Sequence, residues 1–141
     1  MKRVADVMTP NPKTIQPDAP IRRALEMMRQ GGFRRLPVVE EGHLVGILSD
    51  RDLRMAMDTP MIVHEKEHDV YILDHVQVGM CMTGEVVTLS PRDTLAQAAK
   101  VMKDLKVGGC PVVEDGRLVG ILTESDLLDY LLRSMEAGSL L

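Results

Sequence analysis

Two four-residue segments carry the residue types and spacing that could do chemistry on a sugar or a phosphate. Ser49-Asp50-Arg51-Asp52 and Thr123-Glu124-Ser125-Asp126 share the form Ser/Thr-x-x-Asp. Each stands where an apolar, β-branched run gives way to a helical pattern. One reading is structural: the hydroxyl caps the third amide of a helix and the carboxylate returns to the first. The other is a nucleoside site. A helix N-terminus offers free amides and a positive dipole end to phosphate, and a carboxylate has acceptors enough for both hydroxyls of a ribose diol. The readings coexist, because a hydroxyl can cap a helix and still face a cleft.

A third segment imitates a metal site. His64-Glu65-Lys66-Glu67-His68 satisfies H-E-x-x-H, in which two histidines one helical turn apart bind zinc and the glutamate acts as base. Such a site needs a third ligand. His75 and Asp74 follow nearby, but the glycine turn of the extended motif is missing, with Tyr71 at that place. The segment reads as a polar linker helix, with a zinc hydrolase kept as an alternative. No other nucleophile–base pair can be assembled, since Ser49 and Thr123 have no neighbouring histidine and the chain has no glycine-rich phosphate loop. A non-enzymatic chain is expected.

The elements that must position the two Ser/Thr-x-x-Asp segments come from a duplication. Met8 to Leu53 aligns without a gap on Met82 to Leu127, and 18 of the 46 positions are identical. A long period present only twice is a duplicated supersecondary unit, not a solenoid. Each copy reads as strand, helix, strand, strand, helix. Lys13-Thr14-Ile15 and Val86-Val87-Thr88-Leu89 are β-like runs; Asp18 and Ser90 are the candidate helix caps, with Pro91 at the first helical position and Asp93 closing a capping box. Ile21, Leu25 and Met28, then Leu95, Ala98, Met102 and Leu105, recur at helical spacing. Leu36 to Val39 and Leu44 to Leu48 flank Glu40-Glu41-Gly42-His43, a tight-hairpin signal that Glu114-Asp115-Gly116-Arg117 repeats. Leu127, Leu128, Leu131, Leu132 and Met135 form an apolar stripe on the last helix, read as core or dimer interface. The expected division is 1–60 for the first repeat, 61–77 for a connecting segment and 78–141 for the second repeat.

Bulk properties narrow the partners. The chain has 141 residues, enough for a real core, whereas a half of that length would be marginal alone. A net charge of −4 with no basic cluster beyond Arg22-Arg23 and Arg34-Arg35, and one Phe, two Tyr and no Trp, argue against nucleic acid. No apolar run approaches a membrane span and no signal-peptide core follows Met1-Lys2-Arg3, so a cytoplasmic protein is expected. Cys81 and Cys110 replace Val7 and Leu36 of the alignment and read as reduced, apolar-site thiols.

The ordered set Val4-Ala5-Asp6-Val7-Met8-Thr9, Leu36-Pro37-Val38-Val39 and Gly46-Ile47-Leu48-Ser49-Asp50-Arg51-Asp52 resembles the cystathionine-β-synthase (CBS) domain. So does its second copy, Val78-Gly79-Met80-Cys81-Met82-Thr83, Cys110-Pro111-Val112-Val113 and Gly120 to Asp126. The resemblance implies a mixed α/β (α+β) fold of two tandem CBS domains packed with pseudo-two-fold symmetry, a Bateman module. It implies clefts between the halves that bind adenosine-containing regulatory ligands such as AMP, ADP, ATP, NAD or S-adenosylmethionine, with no required cofactor. Carried over, one cleft uses Thr14, Ile15, Arg35, Leu36 and Pro37 with Thr123 and Asp126. The other uses Thr88, Leu89, Gly109, Cys110 and Pro111 with Ser49, Arg51 and Asp52. Backbone groups beside Leu36 and Cys110 would read the adenine edge, and aliphatic side chains would cover its faces. Arg34-Arg35 against Gly108-Gly109 breaks the symmetry, so the sites are expected to differ in their taste for charge. A homodimer that signals to an unknown client protein is expected. The alternative is a ligand-free homodimerisation module in which the two motifs only cap helices.

Overall fold

The computed structural model describes residues 2–58 and 66–138, side chains excepted at 66–68. In chain order the elements are α1 (Val4–Val7), β1 (Thr9–Pro10), α2 (Ile21–Gly31), β2 (Arg35–Glu40), β3 (His43–Ser49), α3 (Asp50–Met57), α4 (Lys66–His75), α5 (Val78–Cys81), α6 (Leu95–Leu105), β4 (Gly109–Glu114), β5 (Arg117–Thr123) and α7 (Glu124–Glu136). They form two compact units that cut across the repeats as read along the chain. One is contiguous, Lys13–Val86; the other is split, Met1–Pro12 with Val87–Leu141.

Each unit is built on one hairpin. In the contiguous unit β2 and β3 pair antiparallel from Arg35↔Ser49 to Glu40↔His43, with a bulge at Val38/Val39. In the split unit β4 and β5 pair from Gly109↔Thr123 to Glu114↔Arg117, with the bulge at Val112/Val113. The turns are two residues long, and both residues are left-handed: Glu41 and Gly42 at φ 51° and 80°, Asp115 and Gly116 at the same angles. That conformation matches the twist of the flanking strands, which is why an acidic residue followed by glycine stands there.

The segment leading each repeat packs on the last strand of the other repeat. In the split unit Thr9↔Ile121 and Pro10↔Gly120 pair antiparallel, and in the contiguous unit Ile47 bridges Thr83. Main-chain bonds fix the approach. The Val4 and Ala5 amides donate to Asp93 and Pro91 carbonyls at 2.8 and 3.0 Å, and the Leu95 amide donates back to the Lys2 carbonyl at 3.2 Å. The same pattern joins Val78 to Ala19, Gly79 to Pro17 and Ile21 to Val76, at 2.8, 2.8 and 3.0 Å. These bonds satisfy first-turn amides of α1 and α5 that have no partner inside so short a helix.

They also correct two expectations. Asp18 and Ser90 do not cap the helices. α2 begins at Ile21 behind Pro20, its first amide taken by Val76, and α6 begins at Leu95 behind a Thr94–Gln97 capping box. Ser90 and Asp93 do exchange bonds, Ser90 amide to Asp93 Oδ2 at 2.9 Å and Arg92 amide to Ser90 Oγ at 3.2 Å, but this closes a turn ahead of the helix. The β-like runs at 13–15 and 86–89 shrink to single parallel bridges, Ile15↔Val38 and Leu89↔Val112. The next rung needs an amide from residue 37 or 111, and both are proline, which has none.

The two cores use equivalent positions. Ile15, Ala24, Met28, Leu36, Val38 and Leu48 of the contiguous unit match Leu89, Ala98, Met102, Cys110, Val112 and Leu122 of the split unit. The remaining equivalent pair is exchanged: Val78 is in the contiguous core and Val4 in the split core, both fully buried. Burying a valine side chain contributes about 1.5–3 kcal/mol, so each unit depends on the other repeat's leader. The expected polar linker helix α4 also contributes to a core, since Ile72 on it is only 6% exposed.

Gly46 and Gly120 mark where the leaders pass. A Cβ at either position would strike the Met82 or Met8 sulfur, and would stand 2.9 Å from the Thr83 carbonyl or 3.0 Å from the Thr9 carbonyl. A methionine can swing aside, but a carbonyl in a ladder cannot. Gly46→Ala and Gly120→Ala are each expected to destabilise the protein by about 1–3 kcal/mol, read as a lower urea midpoint. An unchanged midpoint would show that the leaders are not held there.

Candidate functional site

The hairpin ladders decide which peptide groups are free at the end of each hairpin. The Asp50 amide donates to the Arg34 carbonyl at 2.9 Å, and the Glu124 amide to the Gly108 carbonyl at 3.0 Å. Antiparallel bonding alternates, so Leu36 and Leu48, and Cys110 and Leu122, exchange the next bonds. Arg35 and Gly109 therefore turn their peptide N–H and C=O to the opposite edge. There the amides of Ile15 and Leu89 reach only the Pro37 and Pro111 carbonyls, at 3.1 and 2.9 Å. The bridges stop at the prolines, and among the described residues the Arg35 and Gly109 groups have no ladder partner. Thr14 and Thr88, both exposed, precede the bridges. A donor and an acceptor on one short edge suit the hydrogen-bonding face of a purine.

Of the candidates for base contact, Leu36, Pro37, Cys110 and Pro111 are fully buried, and Ile15 and Leu89 are 4% exposed. Their side chains belong to the cores, so at these positions the backbone is what a ligand can meet. Arg35 is half-buried, whereas Arg34 faces the other way, onto a groove of about 440 Å³ between α2 and α3. Ile21, Met28, Phe33 and Leu53 also line that groove, and none of the candidate ligand residues borders it.

Both Ser/Thr-x-x-Asp turns are complete capping boxes. The Ser49 amide donates to Asp52 Oδ2 at 2.8 Å and the Asp52 amide to Ser49 Oγ at 3.1 Å. In the split unit the Thr123 amide donates to Asp126 Oδ2 at 2.9 Å and the Asp126 amide to Thr123 Oγ1 at 3.2 Å. All four side chains are half-buried, and Arg51 and Ser125 between them are exposed. Each box uses one carboxylate oxygen and leaves acceptor capacity on the other, so capping does not exhaust the carboxylate. Register pairs Arg35 with Ser49 and Gly109 with Thr123, so each unit carries a peptide edge and a hydroxyl–carboxylate turn at the same end of its hairpin.

One bond was not legible in the sequence: Thr9 Oγ1 donates to Asp126 Oδ1 at 3.3 Å. Nothing in the spacing of residues 9 and 126 points to it; it follows from the leader lying on β5. Cys81, at the end of α5, is likewise near Asp52, and among the described residues neither cysteine is in a disulfide. Burial, with a smaller contribution from the Asp52 charge, pushes the Cys81 thiol above its ordinary range.

The metal reading gains no support. His64, Glu65 and the side chain of His68 lie outside the described residues. Of the third-ligand candidates, Asp74 is paired with Arg22, whose bond holds its carboxyl below the usual range, and His75 donates through Nδ1 to the Tyr71 carbonyl at 2.9 Å. Among the described residues no cluster of three or more His, Cys, Asp or Glu could hold a metal ion. Among them, too, no helix is long and apolar enough to cross a membrane.

Comparison with known proteins places these features. The family model described as CBS domain matches residues 4–59 and 77–133. A CBS domain-containing protein of Dictyostelium discoideum is 38% identical over 135 residues, covering 94% of this chain and 93% of that one. The structure of the CBS-pair protein CBSX2 from Arabidopsis thaliana superposes with a TM-score of 0.81 at 28% identity, covering 96% and 97% of the two chains. A structure of CBSX2 in complex with AMP gives 0.79 at 27%, covering 96% and 99%. The CBS domain pair of protein MJ0100, solved with 5-methylthioadenosine and S-adenosyl-L-methionine, gives 0.77 at 26%, covering 92% and 99%.

The thiol provides a reporter for the Asp52 turn. A raised pKa means less thiolate at a given pH, so Cys81 should react with a disulfide reagent at pH 8 several-fold more slowly than a free thiol, with a rate still climbing as the pH rises. Asp52→Asn removes a charge that opposes ionisation and should speed the reaction. Buried Cys110 should react only on unfolding. A Cys81 rate equal to that of a free thiol and indifferent to Asp52 would contradict this geometry.

Proposed function

The chain belongs to the CBS domain family, with two copies in tandem, and from that premise we propose that it is a regulatory module that senses an adenosine-containing ligand. The observation that carries the reading is the doubled arrangement, in both units, of a peptide edge with no ladder partner among the described residues and a half-buried hydroxyl–carboxylate turn. The edge groups at Arg35 and Gly109, with Thr14 and Thr88, meet the base. Asp52 and Asp126 accept from the ribose hydroxyls, and Ser49, Thr123 and the first amides of α3 and α7 face the phosphate, where the helix dipoles favour negative charge. AMP, ADP, ATP, NAD and S-adenosylmethionine share the adenosine that this set recognises. The presence of AMP on CBSX2, and of 5-methylthioadenosine and S-adenosyl-L-methionine on the MJ0100 pair, supports the assignment.

The copies have diverged in charge. Arg35 stands where the second repeat has Gly109 and favours phosphate in its cleft, while Arg51, where the second repeat has Ser125, serves the opposite cleft and partly offsets the asymmetry. A regulatory role, in place of catalysis, agrees with a residue set that has acceptors and donors for binding but no nucleophile–base pair. The signal passes through contacts with a second copy or a client. The exposed stripe of α7 is the proposed dimer surface: Leu128, Leu131, Leu132 and Met135 are 59, 43, 58 and 45% exposed. Closed two-fold pairs are the commonest oligomers. A second reading, ligand-free dimerisation, is favoured by one observation: both capping boxes are complete without a ligand.

Calorimetry with AMP separates the two readings. Asp52→Ala and Asp126→Ala should each remove one binding event, since a charge-assisted hydrogen bond contributes about 1.5–3 kcal/mol, or one to two orders of magnitude in affinity. Loss of the cap alone costs about 1 kcal/mol of stability. Both variants melting earlier while binding AMP as the parent does would leave only the capping role. Separately, sedimentation at tens of micromolar should show a dimer that Leu131→Glu with Leu132→Glu dissociates; a monomeric parent would remove the α7 surface from the account.

A further inference from the structure

The two ribose-side carboxylates differ by a hydroxyl. Asp126 accepts through Oδ2 from the Thr123 amide and through Oδ1 from Thr9 Oγ1, at 2.9 and 3.3 Å. Asp52 accepts through Oδ2 from the Ser49 amide at 2.8 Å, and among the described residues the equivalent Thr83 makes no bond to it. Thr9 is held in place by more than this contact. It pairs with Ile121, two residues before Thr123, Met8 packs over Gly120, and Val4 of the same leader is fully buried.

We propose that the Thr9 hydroxyl competes with the ligand's ribose for Asp126 Oδ1, which makes Asp126 the weaker ribose acceptor and couples its occupancy to the leader Arg3–Pro10. The inference rests on the nucleoside reading given above. A diol that spans a carboxylate needs acceptor positions on both oxygens. The Thr123 amide already claims one of the two positions on Oδ2 and Thr9 one of the two on Oδ1, so the diol meets a carboxylate with half of its acceptor capacity in use. At 3.3 Å the Thr9 bond is at the long end for a hydroxyl donor, so it is weak enough to be exchanged. Exchanging this long, solvent-exposed bond for one from the ribose forfeits what it was contributing, roughly two- to tenfold in affinity. The coupling is reciprocal: whatever Thr9 takes from the ligand's affinity, the ligand takes from the leader's attachment. At Asp52, among the described residues, no leader hydroxyl takes a position on Oδ1.

The test is AMP titration of the full chain by calorimetry, together with hydrogen exchange over residues 3–10, for the parent, Thr9→Val and Thr9→Ser. Thr9→Val should tighten the event that Asp126→Ala removes by about two- to tenfold and leave the Asp52-dependent event unchanged. Thr9→Ser, which keeps the hydroxyl, should match the parent. AMP should speed exchange over residues 3–10 in the parent and in Thr9→Ser, but add little in Thr9→Val. Thr9→Ala serves as the second hydroxyl-free variant should valine strain the strand. An Asp126-dependent event whose affinity is unchanged or weakened in both hydroxyl-free variants overturns the competition and leaves the proposed function standing. If Asp126→Ala removes no AMP event, both fall.

Discussion

The rest of the structure depends on a short run of main-chain hydrogen bonds between each leader and the turn ahead of a helix it does not precede. The amides of Val4, Ala5 and Leu95 donate to the carbonyls of Asp93, Pro91 and Lys2 in one unit, and those of Val78, Gly79 and Ile21 to Ala19, Pro17 and Val76 in the other, at 2.8 to 3.2 Å. An orphaned amide in such a place would cost a large part of its desolvation penalty, so these bonds set where α2 and α6 begin and where the leaders lie. The leader then runs along β3 or β5, the strand that ends in the hydroxyl–carboxylate turn. Leader, strand and turn are one mechanical line in each unit.

Two residue types keep that line narrow. Glycine at 46 and 120 lets a methionine and a carbonyl close on the strand, and proline at 37 and 111 stops the parallel pairing on the other edge of the hairpin after one rung. The first choice admits the leader; the second leaves a peptide edge unpaired. Each repeat thus owes its free donor and acceptor to a missing N–H, while the buried side chains at the same positions hold the core. Packing and recognition use different atoms of the same residues, which explains how Leu36 and Cys110 can differ in size with the backbone unchanged.

Much of this was legible in the sequence. The hairpins followed from apolar, β-branched runs around an acidic residue and glycine, and the helices from apolar spacing at 21–28 and 95–105. The two capping boxes at 49–52 and 123–126 followed from their residue types. The resemblance to a CBS pair was correct, because an ordered motif set repeated in register is specific where each piece is weak. The misplacements share a cause. Asp18 and Ser90 have good capping side chains, but a carbonyl from a distant leader, or a turn, satisfied the amides first. The runs at 13–15 and 86–89 have strand composition, but the partner strand lacks the donor that a second rung needs. Four-residue helices such as α1 and α5 have no periodicity to detect. Spacing also could not tell on which copy a leader packs, and so it could not reveal the contact between Thr9 and Asp126.

The exchange of leaders has a consequence for how such a protein can be divided. Sequence repeats suggest a cut in the connection between them, yet that cut would part Val78 from the core it fills and Val4 from its own. The compact unit is offset from the repeat: residues 13–86 make one unit, and the other is assembled from stretches far apart in the chain. A lone repeat carries a leader with no strand to lie on and a strand with no leader. It can complete both only by trading leaders with another copy. The seam of the duplication is therefore written in main-chain hydrogen bonds, each unit being closed by the other repeat's leader, and not as a gap in the sequence.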